Sequence, residues 1–439
     1  MPTHIKNNIY AIIGNSAAGL AAIESIRRVD QSSRIVNISN QPQRPYSRCL
    51  LSYYLAGQYD KDILWIRPED YYKKYDTEVL LNTAVTGADI KNKTLEISGK
   101  KKISFDKLLI ATGASAKFLN IKGADKKGVF VLRTLEDADG ILRMLPNVKN
   151  ACILGGGLIG LRAAYALKRR GVAVHVIVKS EHIFSQMLDA EAADIMRQHL
   201  EVNGIEISTG LEAAEISGKD SVDGVILDDG NRLDCQLIII GKGVAANLGI
   251  VKGQVKTDMG ILADERLETD RKDIYAAGDA AQAYDVLEEK NNVNQIWPAA
   301  IRQGKIAGLN MAGEEIKYEG SYGTNSLDFF DLAVMSFGVV KPKGGGFEEL
   351  IALDAKRRLY RKIVVKGERI VGGVLINDVE RHGILLHLAL QKIDISDIKD
   401  ILADEYFDFG KVIPLIKRQA NLFIRPEYKD TCVTYSPLY

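Results

Sequence analysis

The chain has 439 residues, with Lys plus Arg at 58 and Asp plus Glu at 57, a formal net charge of +1. That balance leaves no basic surplus for nucleic acid or an anionic membrane as the main partner. No apolar run reaches the ~20 residues needed to span a bilayer, and the length allows two or three domains. The N-terminus passes almost directly into a first strand with no room for a signal peptide, so the cytoplasm is the expected location. Cys49, Cys152, Cys235 and Cys432 are scattered, with no C-x-x-C among them. A disulfide framework, an iron–sulfur cluster held by this chain and a zinc site are therefore not expected, and no metal site is assigned.

Residues 8–29 read as strand, glycine loop and helix, with the loop at Gly14-Asn15-Ser16-Ala17-Ala18-Gly19. A second short strand follows at Ile35–Ser39, and then a long loop over 40–60 rich in Pro, Arg and Tyr. Loops of that length in compact domains usually carry function. Lys107–Gly113 reads as a buried strand ending in a tight turn at Ala111-Thr112-Gly113. From Asn150 the pattern restarts, with a second loop at Gly155-Gly156-Gly157-Leu158-Ile159-Gly160, and runs to about Gly241. The chain then returns to Asp273–Asp279, and a helix over 298–312 presents Ala300, Ile301, Gly304, Ala307 and Gly308 on one small-residue face. Beyond about 319, β-branched runs at 360–365 and 370–376 read as two strands turning at Gly367, followed by helical spacing of Ile384, Leu385, Leu388 and Leu390. This last region reads as α+β.

The two glycine loops, about 140 residues apart, carry the chemistry. Each opens a helix whose free N–H groups and partial positive charge suit a pyrophosphate, and small loop residues let that phosphate approach the backbone. One such motif is weak. Two in register, each within its own βαβ unit, point to two dinucleotides and to hydride transfer between them. The expected fold is α/β: two Rossmann-like dinucleotide-binding domains and a C-terminal α+β interface domain. The expected boundaries are 1–116 with 248–318, then 117–247 inserted between them, then 319–439.

These segments together resemble the two-dinucleotide flavoprotein reductases related to glutathione reductase. The branch most similar holds NADH:rubredoxin reductases and the flavin-binding front end of NAD(P)H-dependent nitrite reductases. Pro45-Tyr46-Ser47-Arg48 with Leu51-Ser52 is similar to that branch's flavin-contacting loop. The resemblance implies FAD in the first unit and NAD(H) or NADP(H) in the second. It places Gly14, Ser16, Ala17, Ala18, Gly19, Asn40, Gln41, Arg48, Val85, Ala111, Thr112, Gly113, Gly278 and Asp279 around FAD, Asp279 on its ribityl chain. Gly155, Gly157, Leu158, Ile159, Gly160, Lys179 and Gly243 fall to the second nucleotide. Trp297, opening a helix, either covers the flavin ring or packs in the core.

The departures matter more. Ser16 replaces the second glycine of the first loop, and Asn40 with Gln41 stands where an acidic residue is expected on the adenosine ribose. The second strand of the second unit ends in Val178-Lys179 instead of a carboxylate. A carboxylate favours a free 2′-hydroxyl, so its absence permits NADPH; alternatively Lys179 is a solvated loop residue. Arg162 stands where many disulfide reductases carry Glu near the nicotinamide, and is either a site residue or a helix-surface arginine.

A dithiol is absent, but Cys49 lies where single-cysteine relatives carry a redox thiol, and neighbouring Arg48 would lower its pKa. The other reading makes Cys49 a small packing residue. Cys152 and Cys235 read as core. The cluster Arg357, Arg358, Arg361 and Lys362 could dock an acidic protein but reads better as a solvated strand face; the tail residues Lys417, Arg418 and Arg425 are similar. The expected activity is an FAD-dependent NAD(P)H:acceptor oxidoreductase that exchanges electrons with an iron–sulfur protein of rubredoxin or ferredoxin type, or with a partner redox subunit. A Cys49-dependent NADH oxidase, peroxidase or disulfide reductase is the alternative; a flavin-bound structural subunit is another. A homodimer or a place in a hetero-oligomer is open.

Overall fold

The computed structural model describes residues 8–404 and 406–419; Arg425 and Cys432 lie outside the described residues, as does the side chain of Lys417. The described chain forms two compact units, one of residues 8–186 with 197–323, the other of 187–196 with 324–404 and 406–419.

The first unit holds two five-stranded parallel sheets. One is built from β1 (Ile9–Ile13), β2 (Arg34–Ile38), β3 (Thr77–Leu80), β4 (Lys107–Ile110) and a strand at Ile274–Ala276, here β10. The other is built from β5 (Val129–Phe130), β6 (Asn150–Leu154), β7 (Ala173–Val178), β8 (Ile205–Thr209) and β9 (Leu237–Ile240). Their orders are β10-β4-β1-β2-β3 and β8-β7-β6-β9-β5, so each glycine loop leaves the central strand of its sheet. All pairs are parallel. Strands covered on both faces need continuous apolar runs, which Ala11-Ile12-Ile13 and Ala151-Cys152-Ile153-Leu154 supply as buried residues.

Helix α1 (Ala17–Val29) follows the first loop, and α6 (Trp297–Met311) packs along it. That approach depends on glycine: a Cβ on Gly304 would fall 2.1 Å from the Ala18 carbonyl oxygen, and one on Gly308 2.6 Å from that of Ala22. The small-residue face read from the sequence is this contact, although Ile301 points away from it and is exposed. Buried Leu20, Ile23 and Ile26 fill the rest, at about 1.5–3 kcal/mol for each side chain removed from water.

The segment expected as one long loop over 40–60 is more ordered than its composition suggested. Arg48–Leu50 forms a 3₁₀ turn and Leu51–Ala56 a short helix, α2. Leu51, Leu55 and Ala56 are buried on α2, an apolar spacing hidden among the Pro, Arg and Tyr. Further along lie α3 (Leu135–Met144), α4 (Leu158–Arg169), which follows the second loop, and α5 (Ala190–Val202).

The second unit is an antiparallel five-stranded sheet with α7 (His382–Leu390). Its strands are β11 (Thr324–Phe329), β12 (Leu332–Gly338), β13 (Phe347–Asp354), β14 (Leu359–Lys366) and β15 (Arg369–Ile376), in the order β11-β12-β15-β14-β13. The Gly367 turn, at φ +60°, joins β14 to β15 as expected. Arg361 and Lys362 do not form a solvated face. Both are buried, because β14 is covered on both sides. Arg361 pairs with Asp378 and donates to the Leu402 and Asp404 carbonyls. Lys362 bridges Asp189 at 3.0 Å and Glu349 at 2.9 Å. Arg418 pairs with Asp397. Among the described residues no helix is long and apolar enough to cross a membrane.

Candidate functional site: two dinucleotide loops

The same loop is built twice. Gly14 N–H donates to the Ile38 carbonyl and Gly155 N–H to the Ile177 carbonyl, both at 2.9 Å. Each of these glycines sits at positive φ, +124° and +133°. A Cβ on Gly14 would fall 2.0 Å from the Ala111 carbonyl oxygen, and one on Gly155 2.3 Å from that of Gly241. The closing glycines repeat the relation, since a Cβ on Gly19 would lie 2.0 Å from the Gly14 oxygen and one on Gly160 2.1 Å from the Gly155 oxygen. Only glycine satisfies both constraints.

Gly157 differs, because a Cβ there would meet nothing within 4 Å. Ser16 occupies the corresponding place in the first loop, so the substitution costs no protein clash. Ser16 and Gly157 are the N-caps of α1 and α4, and neither helix receives a side-chain cap. By contrast α3 caps itself with a full box, Thr134 and Asp137 bonding reciprocally. Uncapped first-turn N–H groups at Ala17-Ala18-Gly19 and Leu158-Ile159-Gly160 are the donor set that a pyrophosphate takes. The residues present therefore fit two dinucleotides.

Around the first loop, Asn37 donates from Nδ2 to the Gly14 carbonyl at 2.9 Å, holding its shape. Gly278, at φ +75°, lies against the Ala18 side chain, and its N–H donates to Gln303 Oε1 at 2.8 Å. Asn40 is exposed just beyond β2. Gln41 turns its Oε1 to two donors, Arg48 Nη2 at 2.9 Å and the Tyr46 hydroxyl at 3.2 Å. Arg48 also donates from Nη1 to the Arg133 carbonyl at 2.8 Å, and Arg133 Nη2 reaches Asp279 Oδ2 at 2.6 Å. Burial and the charge of Arg133 lower the Arg48 pKa, though a guanidinium stays charged. Arg133 thus joins the flavin-type loop to Asp279. Sequence reading missed it; the only clue was its place just ahead of the Thr134 capping box.

The turn at Ala111-Thr112-Gly113 is pinned by Asn247, another residue not anticipated. Asn247 Nδ2 donates to the Thr112 carbonyl, and Thr112 Oγ1 to the Asn247 carbonyl, both at 2.9 Å. Gly243, at φ +82°, sits on the neighbouring segment and accepts from Lys117 N–H. Val85 lies apart on a small antiparallel sheet, half-buried against the cluster of Val36, Ile38 and Ile110. Trp297 packs partly buried on the α1–α6 core.

One open alternative is narrowed and one expectation is corrected. Arg162 is not a surface arginine: it is buried, stacks 4.9 Å over the Tyr53 ring and donates to its hydroxyl at 2.9 Å. It therefore ties α4 to α2, directly after the Arg48–Cys49 turn. Nor is the Cys49 thiol acidified by Arg48. The residue has exposed surface, but the protein packed around its side chain and the charge of Asp279 raise its pKa, against a smaller lowering by Arg133. Arg48 itself is turned to Gln41 and the Arg133 carbonyl. Cys152 and Cys235 are buried, as expected of core residues. Lys179 is largely exposed but pairs with Glu212 at 2.6 Å. Among the described residues no group of His, Cys, Asp and Glu could hold a metal ion.

Comparison with known proteins agrees with this geometry. The family model "Pyridine nucleotide-disulphide oxidoreductase" matches residues 9–304, and "Rubredoxin NAD+ reductase C-terminal domain" matches 324–393. An "NADH oxidase" of Methanocaldococcus jannaschii is 33% identical over 70% of each chain. The "NADH-dependent phenylglyoxylate dehydrogenase subunit epsilon" of Aromatoleum evansii is 30% identical over 91% of this chain and 95% of its own. The crystal structure of a ferredoxin reductase from Rhodopseudomonas palustris is 26% identical, with a TM-score of 0.79 over 88% of this chain and 100% of its own. The chain spans about half the length of the Bacillus subtilis nitrate and nitrite reductase relatives that it also matches. With the glycine loop present twice in the same geometry, the chain belongs to the pyridine nucleotide-disulphide oxidoreductase family.

Proposed function

We propose that this chain is an FAD-dependent NAD(P)H:acceptor oxidoreductase of the cytoplasm, exchanging electrons with an iron–sulfur protein or a partner redox subunit. The observation that carries the reading is the duplicated, uncapped glycine loop on two parallel sheets of one compact unit. Segments 1–116 and 248–318 hold FAD, 117–247 the nicotinamide nucleotide, and 319–439 a partner interface. Bound FAD supplies the conversion between a hydride pair and single electrons.

The protein's own residues bind and orient. First-turn N–H groups of α1 and α4 take the two pyrophosphates. Asn37 and Asn247 keep the first loop and the Thr112 turn in shape. The Gln41–Arg48–Arg133–Asp279 chain fixes a guanidinium and a carboxylate beside each other at the flavin-type loop. Arg162 and Tyr53 hold the helix of the second loop against the helix that follows Arg48.

The acceptor is supported by what the chain lacks and what it is similar to. There is no cysteine pair near the first loop, and the lone Cys49 is held toward its protonated form. The matching C-terminal model is that of rubredoxin reductases, and one relative is a subunit of a larger dehydrogenase. Anaerobic titration of the FAD-loaded protein with NADH and with NADPH tests the reading. Stoichiometric bleaching of the flavin by either nucleotide is expected; a flavin that neither nucleotide bleaches would leave a structural subunit.

A further inference from the structure

Strand β7 ends without the carboxylate that selects a free ribose hydroxyl, yet a carboxylate stands at that strand end. It comes from another part of the chain. The Val178 side chain touches the second loop, since a Cβ on Gly156 would lie 2.7 Å from its Cγ2. Gly241 backs both Gly155 and Gly160. Lys179 and Lys242 are the residues immediately after these two contacts. Glu212 joins them, Oε2 at 2.6 Å from Lys179 Nζ and Oε1 at 3.1 Å from Lys242 Nζ. Its neighbour Leu211 donates its N–H to the Val178 carbonyl, fixing Glu212 beside the end of β7.

Ligands of open parallel sheets bind outside the carboxyl ends of the strands, where an acidic side chain meets the ribose 2′-hydroxyl. We propose that Glu212 is that acidic residue here, supplied from beyond β8 instead of from β7, and that it selects NADH by occupying Lys179 and Lys242. This rests on the reading that the second loop holds a nicotinamide nucleotide.

The charge count supports the sign. Asp228 accepts from the Glu212 N–H at 3.1 Å, so two lysines face two carboxylates and the cluster is formally neutral. A 2′-phosphate, carrying about −1.5 to −2, would have to break a lysine away from Glu212 and then sit beside the released carboxylate. A hydroxyl need do neither, because a carboxylate has about four acceptor sites and the lysines take two. The bond between Lys179 and Glu212 moves the Lys179 pKa up and the Glu212 pKa down.

Calorimetric titration of the FAD-loaded protein with ADP-ribose and with 2′-phospho-ADP-ribose tests this without turnover. The wild type is expected to bind ADP-ribose at least tenfold more tightly. Glu212→Gln should shrink or invert that ratio by at least tenfold, while Lys179→Gln, which leaves Glu212 on Lys242, should widen it. Unchanged ratios in both variants, with both ligands still binding, would overturn the proposal alone. Failure of the folded wild type to bind either ligand would overturn the nucleotide reading together with it.

Discussion

Arg133 Nη2 donates to Asp279 Oδ2 at 2.6 Å, while the Arg133 carbonyl accepts from Arg48. One residue thereby couples a loop at 48 to a turn at 279, with both partners largely shielded from water. Removing Arg133 leaves a shielded carboxylate without its cation, a loss of about 1–3 kcal/mol. Arg133→Gln is expected to lower the melting temperature and to loosen FAD retention, read as flavin released on gel filtration. Arg133→Lys should recover part of the stability but less of the retention, because one ammonium cannot reproduce the fork that also reaches the Ala114 carbonyl.

The two loops allow packing to be separated from ligand binding. Gly160→Ala places a methyl 2.1 Å from the Gly155 oxygen, and overpacking of this kind costs typically 1–3 kcal/mol. Gly157→Ala meets no protein atom within 4 Å. We therefore expect Gly160→Ala to lower both stability and ADP-ribose affinity, and Gly157→Ala to leave the melting temperature unchanged while weakening ADP-ribose several-fold. Thermal melts and calorimetry on the same samples check both.

Burial and Asp279 raise the Cys49 thiol, so the proton stays on through neutral pH. Alkylation by iodoacetamide at pH 7 should be slower than for a free thiol, with its midpoint displaced to the alkaline side of the ordinary cysteine range. Cys49→Ser is expected to keep at least half of the NADH-to-acceptor rate. Loss of that rate would favour the thiol-dependent alternatives.

In the second unit, burial pushes Asp189 up, but the Ala192 N–H, the Tyr360 hydroxyl and Lys362 outweigh it and hold the carboxyl below its usual range. A depressed carboxyl contributes stability above its unfolded pKa of about 3.9, and that stability is lost as pH falls through the lower folded value. Asp189→Asn should therefore destabilise at pH 7 and converge on the wild type as pH falls through the depressed folded value. Melting temperatures across that range supply the check.

Much of this was legible in the sequence, for a physical reason. Gly14, Gly19, Gly155 and Gly160 are forced by positive φ or close backbone approach, so the loop cannot form without writing itself into the chain. The parallel strands were legible because burial on both faces demands continuous apolar runs. Arg133 and Asn247 were not, since their partners lie 146 and 135 residues away and an isolated Arg or Asn carries no such mark. Glu212 was hidden in the same way: the gap at Val178 was visible, but what fills it comes from another strand end. Arg361 and Lys362 misled because charge on a strand ordinarily means solvent, whereas here Asp378, Asp189 and Glu349 accompany them into the interior.

The most direct test of the central claim is single-turnover transfer under anaerobic conditions. The FAD-loaded protein, reduced with NADH, is mixed with rubredoxin or ferredoxin and the acceptor's absorbance is followed. Rapid one-electron reduction of the iron–sulfur acceptor, in the wild type and in Cys49→Ser alike, is the predicted result. Failure of both NADH and NADPH to reduce the flavin, or transfer that disappears with the Cys49 thiol, would contradict it.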